Sequence, residues 1–242
     1  MEDLEGRVAL LTGASGGIGQ AIGRRLIAAG VRTVFAYGGR AAEAGRLVAE
    51  SVAAGVPALA LPGDMADPGV PRALLDTAEG ELGPVDLLIA NAGYAEPLGY
   101  AEVGLETWER TMAVNLRAPF LLAQAALPGM VARRFGRVLF MSSVAGFTGG
   151  IVGPHYAASK AGLHGLVHFL APRVAADGVT VNAVAPALIE DTAMLPPGAS
   201  PGALPVGRFG RPGEVADLCM AVLRNGYLTN QVLSVDGGAH PR

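Results

Sequence analysis

Short, almost unbroken apolar runs return along the whole chain with amphipathic stretches between them, and no other feature restricts the fold as much. The runs are Val8–Thr12, Thr33–Tyr37, Ala58–Pro62, Val85–Ala90, Arg137–Ser142, Val179–Ala183 and Gln231–Val235. A strand with one wet face alternates apolar and polar residues; these runs do not, as expected of strands covered on both faces. Between them, Ala41–Ala54, Pro68–Leu82 and Glu214–Leu223 follow the helical period. This alternation predicts an α/β fold, a doubly wound parallel sheet of about seven strands with helices on both faces and right-handed crossovers. The 242 residues are 51% hydrophobic and show no repeat and no linker between two compositions, so 1–242 reads as one domain. Only Thr192–Gly213 breaks the rhythm. It holds five prolines and five glycines, has no period and follows the sixth strand, which predicts a substrate lid.

The turn after the first strand reads T-G-A-S-G-G-I-G over 12–19 and opens the helix Q-A-I-G-R-R-L-I-A-A-G. Gly13, Gly17 and Gly19 permit the turn, a close backbone approach to a ligand and tight helix–strand packing. Ser15 and Ile18 lie in the same turn. The helix start then offers free N–H groups and a positive dipole end to a pyrophosphate. Strand before and glycines into helix after is the Rossmann-type context for a dinucleotide. The second strand ends F-A-Y-G-G-R, with Tyr37 where an acid would bond a ribose 2′-hydroxyl, and Arg40 close behind. Lacking the acid and having the arginine, the site favours NADP(H) over NAD(H).

Charge and cysteine usage exclude other classes. A net charge of -3 gives no basic stripe for nucleic acid. Arg133, Arg134 and Arg137 read as a solvated helix end. The single cysteine, Cys219 in V-A-D-L-C-M-A-V-L, rules out an internal disulfide, fits a reducing compartment and reads as buried and inert. The acidic M-E-D-L-E-G-R start and short apolar runs predict no signal peptide, no membrane span and a soluble, cytoplasmic protein. His164 and His168 stand four apart with no carboxylate between them, so no metal site is expected, and they read as core or interface histidines.

Lys160 is the only lysine among 18 basic side chains, and it follows Tyr156 by four residues, the spacing that puts both on one helix face. Asn115 lies in the helical pattern E-T-W-E-R-T-M-A-V-N-L-R-A-P-F-L-L-A-Q, four residues before Pro119. Proline has no N–H, so the carbonyl of residue 115 loses its partner and a kink is expected there.

Together these motifs resemble the short-chain dehydrogenase/reductase family from end to end. They come in family order: the glycine turn, Asp64, N-A-G at 91–93, Asn115, Ser143, Tyr156 and Lys160, then N-A-V-A-P at 182–186 and S-V-D-G-G at 234–238. The resemblance implies that Asp64 meets the adenine and that Asn91, Ala92 and Gly93 pack on the cofactor ribose. It also implies that Pro186 and Ile189 line the nicotinamide pocket and that Thr192 holds the carboxamide. The chain departs from the pattern with Ala187 after the proline, where glycine is usual, and with Thr192 one place late. Asn115, Ser143, Tyr156 and Lys160 become the catalytic set, with Ser143 orienting a carbonyl and Asn115 holding a relay water.

Reducing a ketone leaves an alkoxide that needs a proton, and a free phenol with a pKa of about 10 is poorly matched to neutral pH. The expectation is that Lys160, held in a pocket with a cationic nicotinamide nearby, lowers the Tyr156 phenol and bonds the nicotinamide ribose; three units would take about 4 kcal/mol. Among branches the chain is most similar to bacterial 3-oxoacyl-(acyl-carrier-protein) reductases. That implies an acyl-thioester or small-molecule substrate, with a carrier protein as partner and a homo-oligomer, tetramer or dimer. Arg134 matches one carrier-docking position, but Asp177 stands at another. A polyketide-type ketoreductase, an NAD(H)-dependent secondary-alcohol dehydrogenase and, from another class, a non-catalytic nucleotide-binding regulator are the alternatives.

Overall fold

In the computed structural model, which describes residues 2–192, 194–195 and 198–240, seven parallel strands form one sheet in the order β3-β2-β1-β4-β5-β6-β7. The strands are β1 (Val8–Thr12), β2 (Arg32–Tyr37), β3 (Ala58–Pro62), β4 (Leu87–Ala90), β5 (Gly136–Met141), β6 (Val179–Pro186) and β7 (Val232–Val235). Neighbouring residues of a strand feed opposite layers, which is why the runs are apolar throughout. Leu10, Val34, Leu88 and Phe140 pack toward one helix layer, and Leu11, Phe35, Leu87 and Leu139 toward the other.

Helices α1 (Gly17–Ala28), α2 (Ala41–Ala53) and α8 (Pro212–Leu223) cover one face of the sheet. Helices α3 (Val70–Leu82), α4 (Leu105–Met112), α5 (Ala118–Ala132) and α7 (Pro154–Val174) cover the other, and α6 (Ala145–Thr148) is one short turn. The chain reverses direction across the sheet between β1 and β4, so the loops after these two strands part and leave a crevice. No helix among the described residues is long and apolar enough to cross a membrane.

Several local expectations change. The helical pattern around Asn115 is two helices joined by a π-helical turn at Ala113–Arg117, in which the Ala118 N–H reaches back five residues to the Ala113 carbonyl. Pro119 supplies no N–H to the 115 carbonyl, and the extra residue in the turn is how the helix absorbs that loss. β6 runs three residues past Ala183, since its terminal Pro186 needs no donor there and its carbonyl accepts from Val144 N–H. Pro172 lies in the last turn of α7 and the helix continues through it. Arg137 is no solvated charge: it sits in β5 at 3% exposure, paired with Glu2 and covering the Phe135 ring. Cys219 is fully buried, and desolvation pushes its thiol up to about 12.

Two substitutions test the layers with opposite signs. Leu88→Ala, at a fully buried strand position, should lower unfolding free energy by about 2–5 kcal/mol. Gly45→Ala, in α2 with open space around the new methyl, should raise it by about 0.5–1 kcal/mol. Urea titration reads both; a stabilised Leu88→Ala would contradict the packing described.

Candidate active site

The crevice between β1 and β4 is laced by Thr12 and Asn91. The Thr12 hydroxyl accepts from Asn91 and Ala92 N–H at 3.1 and 3.0 Å. The Asn91 amide donates to the Thr12 and Gly13 carbonyls at 3.0 and 3.1 Å. This pins the glycine turn against N-A-G so closely that a Cβ on Gly13, which has φ +66, would lie 2.8 Å from Ala92 Cα. A Cβ on Gly19 would run into the Gly13 carbonyl, and one on Gly17 into the Asp191 carbonyl. The first turn of α1 carries no acidic residue and no side-chain cap, so its N–H groups face the crevice unfilled.

A cavity of about 400 Å³ opens from this turn toward α7. Every residue that the sequence suggests for the cofactor lines it: Gly13, Ser15, Gly17, Ile18, Gly19, Tyr37, Arg40, Asp64, Asn91, Ala92, Gly93, Tyr156, Lys160, Pro186, Ile189 and Thr192. A bare backbone cradle, uncapped N–H groups and a cation beside them suit the pyrophosphate and phosphate of a dinucleotide. Arg40 starts α2 in the left-handed region at φ 52, a strained setting for a side chain, and forms no ion pair among the described residues. Asp64 is partly committed: one carboxylate oxygen accepts from Ala66 N–H at 2.9 Å and the other faces Arg110 at 3.5 Å. The Thr192 hydroxyl donates to the Ile189 carbonyl at 2.9 Å, leaving it an acceptor toward the cavity.

Ser143 and Ser142 are separated by their partners. Ser143 lies on the cavity wall with Tyr156, its hydroxyl accepting from Ala145 N–H at 3.2 Å and facing the Pro186 carbonyl at 3.5 Å. Ser142 donates to the Lys160 carbonyl at 3.1 Å and contacts His164 Nε2 at 2.8 Å. His168 turns instead to Asn230, 2.8 Å away, so the two histidines do not converge. Asn115 is fully buried and outside the cavity wall. Its side chain accepts from Tyr94 N–H at 2.7 Å and donates to the Tyr94 carbonyl and the Ser159 hydroxyl at 2.9 and 3.1 Å.

In the free protein burial raises the Tyr156 phenol, and the neighbouring Ser143 hydroxyl offsets only part of that. The Lys160 ammonium donates to the Met141 carbonyl at 2.7 Å and sits 5.6 Å from the Tyr156 ring centre. Burial also pulls Lys160 down to about 8. Sequence reading overlooked part of the wall: Tyr94, Arg110, Ile151, Val152 and Met194. Met194 Sδ lies 4.0 Å from the Tyr156 hydroxyl. Tyr94 could have been found, since it directly follows N-A-G; Arg110 lies on α4, and Ile151, Val152 and Met194 sit in loops without a period.

The sequence profile of the short chain dehydrogenase family matches residues 7–200, and the chain belongs to that family. It is therefore an NAD(P)-dependent oxidoreductase of the short-chain dehydrogenase/reductase type. The chain is 35% identical over 244 residues to the 3-oxoacyl-[acyl-carrier-protein] reductase FabG of Aquifex aeolicus, covering 97% of this chain and 98% of that one. It is 34% identical over 242 residues to the acetoacetyl-CoA reductase of Cupriavidus necator, again covering 97% and 98%. Among solved structures, a blue fluorescent protein from a metagenomic library, in complex with NADPH, superposes with a TM-score of 0.89. It shares 38% identity, with 99% of this chain and 100% of that chain covered.

Because Lys160 is the only lysine, protein labelled with ¹³C-lysine should show one side-chain signal. Its titration midpoint should fall at about 8 without cofactor. Since burial disfavours the folded ammonium, stability should rise with pH between that midpoint and the ordinary value of about 10.4. A midpoint at the ordinary value would contradict the burial described.

Proposed function

We propose that the chain reduces a ketone to a secondary alcohol with NADPH, and that the ketone is a 3-oxoacyl thioester. The observation that carries this is the gathering of Ser143, Tyr156 and Lys160 on the wall of the same cavity that contains the glycine cradle. When bound, the nicotinamide supplies the hydride. Gly13, Ser15, Gly17, Ile18 and Gly19 hold the pyrophosphate, Tyr37 and Arg40 the 2′-phosphate end, and Asp64 the adenine. Asn91, Ala92 and Gly93 take the ribose side, and Pro186, Ile189 and Thr192 the carboxamide side.

Ser143 donates a hydrogen bond to the substrate oxygen and fixes its carbonyl. As the carbon gains the hydride, Tyr156 passes its proton to that oxygen, so the alkoxide never stands free. The buried Lys160 cation, bonded to the Met141 carbonyl in the free protein, stabilises the tyrosinate once it turns toward the phenolate oxygen. Asn115 anchors Tyr94 and keeps open the π-turn through which a proton returns from solvent. The segment 192–213 acts as the lid of this single 1–242 domain, with Met194 facing the Tyr156 hydroxyl.

A second reading concerns how the substrate arrives. Arg134 faces Asp177 at 3.4 Å on the amino-terminal edge of the sheet, away from the carboxyl ends of the strands that line the cavity. This favours thioesters on small carriers, or free ketones, over docking of an acidic carrier protein. Phe120 and Phe169, exposed on α5 and α7, support assembly into a homo-oligomer, a tetramer or dimer, and the lone buried thiol supports a cytoplasmic setting.

The test is initial-rate oxidation of NADPH and NADH with an acetoacetyl thioester and simple ketones. Tyr156→Phe should lower kcat by about 10²–10⁴-fold and leave NADPH affinity unchanged. Arg40→Ala should reduce the preference for NADPH over NADH by about tenfold to a hundredfold. Full activity in Tyr156→Phe would overturn the proton-donor assignment, and an unchanged preference in Arg40→Ala that of the phosphate contact.

A further inference from the structure

The substrate-side wall of the cavity comes from two irregular segments, 93–98 after β4 and 150–153 before α7. Tyr94, Ile151 and Val152 face the cavity. Two hydrogen bonds hold the first segment, one to the second segment and one to the start of α7. Leu98 N–H donates to the Val152 carbonyl at 2.9 Å. The Glu96 carbonyl lies 3.1 Å from His155 Nε2, and a carbonyl can only accept, so Nε2 carries the proton.

The ring that makes this bond is fully buried, and its Nδ1 finds no partner among the described residues. The Glu96 carbonyl is thus its polar anchor. Gly153, at φ 146, leaves the room: a Cβ there would lie 2.7 Å from both His155 Cε1 and the Leu98 carbonyl oxygen. The Glu96 side chain accepts from the Tyr94 hydroxyl at 2.5 Å. With its hydroxyl drawn off to Glu96 and its main chain held on both sides by Asn115, Tyr94 presents ring carbons toward the substrate space.

We propose that His155 clasps the 94–98 segment to the start of α7 and thereby sets the width of the carbonyl slot, which takes slim, uncharged, unbranched ketones. His155 is a positioning residue: it acts through Glu96 and Tyr94 and touches no reacting atom. Ile151, Val152 and Met194 make this wall apolar, and Arg110, which lines the same cavity beside the Tyr94 ring, is already paired with Asp64 at 3.5 Å, which disfavours a free carboxylate on the substrate. The inference rests on the ketone-reductase reading.

The test compares the unaltered chain with His155→Leu, which removes the donor, and His155→Gln, which retains one. Straight-chain and branched or aryl ketones of equal polarity are reduced with NADPH, and Leu98 amide exchange is followed in parallel. In His155→Leu the branched-to-linear ratio of kcat/KM should rise about tenfold, mainly through KM for the branched ketones, with NADPH affinity unchanged. The Leu98 amide should exchange faster, and His155→Gln should restore both toward the unaltered values. An unchanged ratio in His155→Leu, or a glutamine variant that behaves like the leucine one, overturns the clasp. If the unaltered chain reduces no ketone at all, the reductase reading fails, and unaltered Leu98 protection in His155→Leu then overturns the clasp on its own. Should His155→Leu not fold, Tyr94→Phe removes only the hydroxyl that Glu96 holds: a shift toward branched ketones supports the wall described, and no shift overturns it.

Discussion

The hydrogen bond from the Lys160 ammonium to the Met141 carbonyl joins the last residue of β5 to the middle of α7. Most of the site depends on that seam. β5 is a central strand, buried from end to end, and its carboxyl end delivers Met141, Ser142 and Ser143 in succession. α7 brings Tyr156 and Lys160 one turn apart, and Ser142 adds a second bond to the Lys160 carbonyl, itself contacted by His164. A sheet edge alone offers backbone and a helix alone offers a face; stitched together they place a hydroxyl, a phenol and an ammonium in one pocket. The glycine cradle is fixed the same way across β1 and β4, through Thr12 and Asn91.

That seam also explains the pKa balance. A buried ammonium bonded to a neutral carbonyl loses much of its hydration and gains little in exchange, so its pKa falls. A buried phenol whose nearest cation is bonded elsewhere rises for the same reason. The lysine and the tyrosine are therefore matched by burial before they are matched by charge. The site holds Tyr156 as a firmly protonated acid, which is the form that a carbonyl about to become an alkoxide requires.

Much of this was legible in the sequence, and the limits have physical causes. Strands apolar on both faces gave the doubly wound sheet, and glycines between strand and helix gave the cradle, because both rest on local periodicity and on backbone sterics. The loss of the N–H at Pro119 correctly located a helix irregularity at Asn115, but the choice between a kink and a π-turn depends on packing against Tyr94 and Ser159. The upward shift of the phenol in the free protein was not legible, because spacing puts two residues on one face without saying how deeply they are buried or what an ammonium bonds to. Arg137 looked like a solvent charge because a composition argument does not see Glu2 folding back over β5. The wall at 93–98 and 150–153 has no period, so its bonds could only be found in three dimensions.

Burial sets the Tyr156 phenol high until an opposing charge is brought to bear on it. An ultraviolet difference titration of tyrosinate, with the Tyr156→Phe trace subtracted, measures this residue alone. Without cofactor it should titrate above the ordinary phenol value of about 10, and with saturating NADP⁺ it should fall below that value. A Tyr156 that already titrates low in the free protein, or one that titrates identically in both states, would contradict the account.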